Sequence, residues 1–518
     1  MSATLIAQAG QWLARLGALA PGARVSPAEI NAATDLAIDL LDTPRSDLVA
    51  ALMQSLAARG ADLARVWQLA ALGHREEQQL EEAFAAIGRA AARDPASALI
   101  ALARAQIAYE SGRPSAELFM AALRQRKGDL ATVQSAARAL DADGDPAAAR
   151  QLLGQALAAR PEWIEGHKQL AALLTTSQGW AAASAHYARA CHAGSAPELW
   201  LTWFYATAHT RDWAAARAIL DEAAARLGTL PALDKARLYW LAESGTAGGD
   251  AALFDGWPVG ADIGLDLARL RHLLRLGKVE AAAEIALAHR ADPPAQAAIF
   301  WPYLSTCWRL LGDARAAWLD GDPPFITAID LPFAEGDLDR LAVRLRELHL
   351  ARAPFVEQSV RGGTQTSGPL LLRHESEFVA LRGKILAAVR SYVDALPAPD
   401  PAHPLLGAPR GELLVEGSWS VRLEDAGFHT CHTHTHGWIS SALYVALPDA
   451  AGMGAPPAGW ISFGTPPPEL GIELAPYRLI EPKPGRLALF PSTMWHHTHP
   501  FAAGERMTVA FDIRRPRR

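Results

Sequence analysis

The hydrophobic rhythm of the chain changes once, near residue 412. Before that point apolar positions recur every three or four residues, the spacing of a helix with one buried face. Stretches 3–16, 27–41, 47–59 and 63–72 read this way, and Leu63, Trp67, Leu69 and Leu72 form one stripe. After residue 412 the period drops to two. Leu414, Glu416, Ser418, Ser420 and Arg422 alternate with their neighbours, as on a strand with one buried face.

Within the helical part a longer repeat emerges. Ala83-x-x-x-Ile87-x-x-Ala90, Ser115-x-x-x-Phe119-x-x-Ala122, Ala149-x-x-x-Leu153-x-x-Ala156, Ala183-x-x-x-Tyr187-x-x-Ala190 and Ala216-x-x-x-Leu220-x-x-Ala223 follow one another at 32 to 34 positions. A period near 34 held over five units predicts an all-α, tetratricopeptide-like solenoid, in which small residues let paired helices approach. Pro95 and Pro161 close two of the units, because proline cannot continue a helix. The repeat fades after Leu227, and 246–260, rich in Gly, Ala and Asp, reads as a loop. Helices resume at 265–276, 279–289, 295–311 and 313–319, continuing and capping the superhelix.

Asp320-Gly321-Asp322-Pro323-Pro324 marks a boundary, giving domains 1–320 and 321–518. The second opens with a strand at 325–329, a helix at 338–350, a polar Gly-bearing loop at 361–366, a helix at 378–395 and a Pro-rich connection at 397–409. The alternating region then predicts an all-β body with supporting helices ahead of it. Its Gly/Pro-rich loops at 452–459 and 465–471 are candidates for the mouth of a barrel. The fold class expected is multidomain α + β.

Composition narrows the function classes. A length of 518 residues allows two to four domains, and the formal charge of −6 argues against nucleic-acid binding as a main activity. The basic tail Arg514-Arg515-Pro516-Arg517-Arg518 reads as a solvated terminus. Cys191, Cys307 and Cys431 are too far apart for a disulfide framework and fit a reducing compartment. No basic leader with an apolar core and no membrane-length apolar run appears, so a soluble cytoplasmic protein is expected. Oligomeric state is not readable.

The chemistry concentrates in 427–506. Four of the seventeen histidines, His429, His432, His434 and His436, fall within eight residues. In a strand His432 and His434 would face one side, and a third imidazole from a distant strand would complete a metal site. Imidazoles with open positions suit iron, zinc or copper rather than calcium or magnesium. His496, His497 and His499 compete for the third place, with His497 and His499 on the face opposite His496. Cys431 alternates away from the His432/His434 face, and His436, just before Gly437, is left to the surroundings or to substrate. A permanently charged Arg506 nearby would bind a carboxylate through its planar fork.

His432-x-His434 before Ser440-x-x-x-Tyr444-Val445, then Phe490-Pro491-Ser492-x-x-x-His496, then Arg506-x-Thr508, resembles the 2-oxoglutarate/Fe(II)-dependent oxygenases fused to tetratricopeptide repeats. The resemblance implies a double-stranded β-helix (jelly-roll, cupin-like) holding Fe(II) through His432, His434 and His496. It implies 2-oxoglutarate on Arg506 and Thr508, with Tyr444 and Gln365 lining its site, and O₂ as the oxidant. The better-known pattern in this superfamily is His-x-Asp…His. Here the second position is His434, so the site is either three-histidine or takes a carboxylate that the sequence does not place. The implied activity is hydroxylation, with the repeats presenting a peptide or protein side chain. Two rivals stand: a cupin-type metalloenzyme that does not use 2-oxoglutarate, and a non-catalytic scaffold. The lack of a Glu shortly after His434 and the presence of Arg506 weigh against the first, and the complete His, His, His and Arg set against the second.

Overall fold

The computed structural model describes residues 2–516 apart from 21, 44, 193, 251 and 355–357. Helices follow one another from Ser2–Ala18 to Pro294–Leu310. The five repeat signatures fall on helices Leu80–Arg93, Ala116–Gln125, Pro146–Ala159, Trp180–Ala190 and Trp213–Leu227. Ala83, Ala122, Ala149, Ala183 and Ala216 are all fully buried, so the repeated small residues mark the lines where helices meet. The stretch expected to loop out carries no helix among its described residues between Glu243 and Ile263.

The chain divides into two compact units. One is Met1–Leu153 with Gly368–Gly383. There the returning segment is tied by the His374 amide donating to the Ser111 carbonyl at 2.9 Å and by Arg373 Nη2 donating to the Gly112 carbonyl at 3.2 Å.

The other unit is Gly154–Ser367 with Lys384–Pro516. Its helix Pro294–Leu310 is buried on almost every side. It packs against the preceding helices and also against Leu470 and Trp495. Trp495 Nε1 donates to the Pro302 carbonyl at 3.1 Å, and its ring meets Tyr303 edge-on with centroids 5.1 Å apart.

Among the described residues nine strands form two antiparallel sheets: β1 (Thr327–Asp330), β2 (Val360–Gln365), β3 (Val415–His429), β4 (Gly437–Ala446), β5 (Ile461–Phe463), β6 (Arg478–Ile480), β7 (Arg486–Pro491), β8 (His496–Thr498) and β9 (Glu505–Arg514). The large sheet runs β1-β7-β4-β9-β3-β2 and the small one β6-β5-β8. A single bridge from His432 to His496 extends the small sheet. Tyr444, Ala488 and Phe490 of the large sheet share one core with Ile461, Phe463 and Ile480 of the small one. Two sheets closed over one core are the all-β body expected from the alternating pattern and the double-stranded β-helix implied by the resemblance.

One element differs from expectation. The segment read as a loop at 361–366 is the edge strand β2, paired with β3. Two glycines hid it, because glycine weakens strand signals. They have local reasons. Gly362 sits at φ +69° in a bulge between Arg361 and Gly363. A Cβ on Gly363 would lie 2.3 Å from the Arg422 carbonyl oxygen.

Candidate metal centre

The His-x-His segment connects β3 to β4. It leaves the large sheet at His429, touches the small sheet at His432 and rejoins the large sheet at Gly437. A chain that changes sheets cannot keep one pleat, so His432 and His434 do not share a strand face as expected. Backbone bonds fix them instead. His432 and His496 exchange amide-to-carbonyl bonds of 3.0 and 3.1 Å, and the His434 amide donates to the Ser492 carbonyl at 2.9 Å.

The result is the expected convergence. One ring nitrogen from each of His432, His434 and His496 lies within 4.8 Å of the others. Ring centroids are 4.1 Å apart for His432–His496 and 5.2 Å for both other pairs. Each Nδ1 is already engaged. His432 donates to the Thr430 carbonyl at 2.8 Å, His496 to the Met494 carbonyl at 3.0 Å, and His434 to the Asp512 carboxylate at 2.7 Å. Those bonds assign the tautomers and leave three Nε2 lone pairs for a cation. Burial pushes the His432 imidazole down to about 3 and His496 well below its usual range, so both rings are neutral ligands at neutral pH.

Asp512 is the carboxylate that the sequence did not place. It stands behind His434 rather than among the ligands, 8 % exposed, with the Ser440 hydroxyl 2.6 Å from Oδ1. Its signal was present: positions 506, 508, 510 and 512 share one face of β9. Ser359 was also missed; its hydroxyl lies 3.0 Å from His429 Nδ1 and 3.3 Å from His432 Nε2. Trp419 stacks on His434 at 5.7 Å.

The other candidates fall outside the triad. The His429 ring stacks on His432 at 5.8 Å without joining it. Cys431 donates to the Thr465 carbonyl, and burial pushes its thiol up to about 12. His436 is exposed, and His497 and His499 turn to a neighbouring cavity.

Arg506 and Thr508 occupy the inner face of β9. Arg506 is 2 % exposed and meets no carboxylate among the described residues. Its Nε is buried without a hydrogen-bond partner, and so is the Tyr444 hydroxyl. The guanidinium carbon lies 5.0 Å from the Tyr444 ring centroid. Burial raises the Tyr444 phenol pKa, and the Arg506 charge opposes that rise. Register aligns Tyr444 with Thr508, Thr508 with Val421, and Val421 with Gln365, so the four lie on one row across the sheet. A buried guanidinium and phenol with open hydrogen-bonding positions fit the carboxylate of a diacid, and three neutral imidazoles fit Fe(II). Iron and 2-oxoglutarate therefore both suit the residues present.

A cavity of about 1060 Å³ flanks this centre. Its walls come from the helical turns at 175–180 and 209–211, from β2, and from 465–469 and 497–500.

Residues 417–512 match a protein-family model described as "Putative 2OG-Fe(II) oxygenase". That span contains all three histidines, Tyr444, Arg506, Thr508 and Asp512. No curated relative matches the chain. Among solved structures, a Pseudomonas putida prolyl-4-hydroxylase is 16% identical and aligns over 39% of this chain and 96% of its own, with a TM-score of 0.26. HygX from Streptomyces hygroscopicus, with nickel and 2-oxoglutarate bound, is 12% identical over 39% of this chain and 85% of its own, with a TM-score of 0.26. The human IFIT1 dimer with m7Gppp-AAAA is 12% identical over 56% of this chain and 70% of its own, with a TM-score of 0.25.

Proposed function

With a 2OG-Fe(II) oxygenase match at residues 417–512, we propose that this protein is a dioxygenase that hydroxylates a side chain of a peptide or protein presented by its helical repeats. The observation that carries this reading is the pairing of three converging imidazoles with a buried Arg506 that meets no carboxylate among the described residues of the same sheeted core.

Bound iron would supply oxidation of a substrate C–H bond by O₂, coupled to breakdown of 2-oxoglutarate to succinate and CO₂. The chain's own residues do the rest. His432, His434 and His496 hold the cation through Nε2 while Thr430, Asp512 and Met494 keep the Nδ1 protons in place. Arg506 and Thr508 hold the far carboxylate of 2-oxoglutarate, with the Tyr444 hydroxyl beside them and Gln365 at the end of the same row. Phe490, whose ring lies 4.6 Å from that of His496, keeps water from that side. No helix among the described residues is long and apolar enough to cross a membrane. The three unpaired cysteines suit the cytoplasm.

The test is anaerobic loading with Fe(II) followed by titration with 2-oxoglutarate. A metal-to-ligand charge-transfer band should grow in, and admission of O₂ should yield succinate. Metal binding without either signal would replace this reading with a cupin-type enzyme that does not use 2-oxoglutarate.

A further inference from the structure

We infer that the cavity beside the metal centre is the docking site for an extended, acidic peptide segment, recognised by Arg361 and Arg211. This rests on the oxygenase reading only for its purpose; the site itself is built from other residues.

Charge is the first argument. Arg361 lines the cavity and meets no carboxylate among the described residues. Its Nη1 donates to the carbonyls of Gln358 and Val360, which fixes the group without supplying a counter-charge from the described residues. Arg211 lines the opposite, helical wall and pairs with Glu469, which lines the cavity too. Two guanidiniums and one carboxylate leave the lining with a positive balance, inside a chain whose formal net charge is −6. A carboxylate-bearing ligand satisfies Arg361 directly and can exchange with Glu469 for Arg211.

Backbone geometry is the second. Arg211 has φ +64°, a left-handed conformation unfavourable for a residue with a Cβ. It ends the helix Pro197–His209, and His209, Thr210 and Arg211 all line the cavity. The turn thus holds a long cation at the cavity wall where glycine would be the relaxed choice.

The shape of the occupant follows from β2. It is the last strand of the large sheet and has no partner on its outer side among the described residues, and its Val360, Arg361 and Gly362 line the cavity. An extended chain can add to such an edge through main-chain bonds. Trp180, Phe428, Pro466 and Pro500 give apolar wall, while His497 Nδ1 and His499 Nε2 are buried without partners. At about 1060 Å³ the cavity stands at the top of the range of roughly 300–1,000 Å³ that holds a drug-sized ligand, room for a few residues of peptide. His429 connects it to the centre, since it lines the cavity and stacks on His432.

The experiment uses the full chain and three fluorescein-labelled nonapeptides in which Ala alternates with Glu, Gln or Lys. Fluorescence anisotropy should show the Glu peptide binding about ten-fold tighter than the Gln peptide. Arg361→Glu should invert the order so that the Lys peptide binds best, a gain that simple unfolding cannot produce. Equal affinity for the Glu and Gln peptides, no binding of any peptide, or an unchanged preference in Arg361→Glu would overturn the inference. The charge-transfer titration of the wild-type protein is run in parallel. A missing band with intact charge discrimination removes the oxygenase reading and leaves this one standing.

Discussion

The helical repeats and the inner face of the large sheet are both buried, and they are buried for opposite reasons. In the repeats the covered positions are small and apolar, with Ala83, Ala149, Ala183 and Ala216 fully buried at matching places in successive units. On the inner face polar groups are covered as well as the apolar Tyr444, Ala488 and Phe490: Ser440, Thr508, Asp512, Arg506 and the neighbouring His496. Burying alanine needs only close packing. Burying a guanidinium or a carboxylate needs a partner. Asp512 has two, in His434 and Ser440. Arg506 has no carboxylate among the described residues, and that difference separates a finished structural contact from a place kept for something else.

The sharpest way to break the contrast is His496→Ala. Succinate formation should vanish and bound iron should fall far below one per chain by elemental analysis, because a third of the ligand set is gone. Retained turnover would mean that the three rings do not form the working centre.

Arg506→Met comes next. Affinity for 2-oxoglutarate should fall on the order of 100-fold, the scale of losing a charge-assisted bidentate contact. The ligand-free protein should melt at a higher temperature than wild type, because a buried unpaired charge has been replaced by an apolar chain of similar length. A lower melting temperature would show that Arg506 is a structural group after all.

Asp512→Asn tests the satisfied side. Iron affinity should drop roughly 10- to 100-fold, the usual effect of altering the group that orients a histidine ligand. Iron-binding titration checks it, and unchanged affinity would reduce Asp512 to packing.

Ala183→Leu tests the repeats. Forcing extra methylenes into a fully covered helix contact should cost about 1–3 kcal/mol in chemical denaturation while leaving the 2-oxoglutarate affinity at the wild-type value. The last test is pH. Histidine in an unfolded chain titrates near 6.5, whereas the folded His432 stays neutral down to about 3, and His349 and His497 to about 4. Acid therefore loads protons on the unfolded chain first. Stability from these buried rings is complete above about pH 6.5 and drains away as pH falls through the window below it. Melting curves of metal-free protein at about pH 7.5 and pH 5 should show the loss, and a rise on acidification would contradict it.

Much of this was legible from residue order. The helical stripe, the repeat and its buried alanines depend on spacing alone, and Phe119 and Tyr187 lie where the motif puts them. So did the convergence of His432, His434 and His496, because the motif that carries it is local to a few segments. What stayed hidden depends on pairing between distant strands. Gly363 makes sense only once the Arg422 carbonyl of the paired strand lies against it. Asp512 becomes interesting only when β4 and β9 bring it to Ser440 and His434. The return of Gly368–Gly383 to the first compact unit left no periodic trace either, being tied by isolated contacts of Arg373 and His374 rather than by a repeated stripe.

Trp495 has a practical bearing on how this molecule can be cut. It stands next to His496, and its indole is lodged on Pro302 and Tyr303 of the helix Pro294–Leu310. Trp495 thus grips the helix while the next residue, His496, turns its ring toward His432 and His434. A fragment started at Gly321 would carry every ligand in its sequence yet lose the wall on which that indole rests. Such a trimmed version should crystallise or express as a β body with one ligand adrift, and engineers seeking a minimal catalyst should keep the helix.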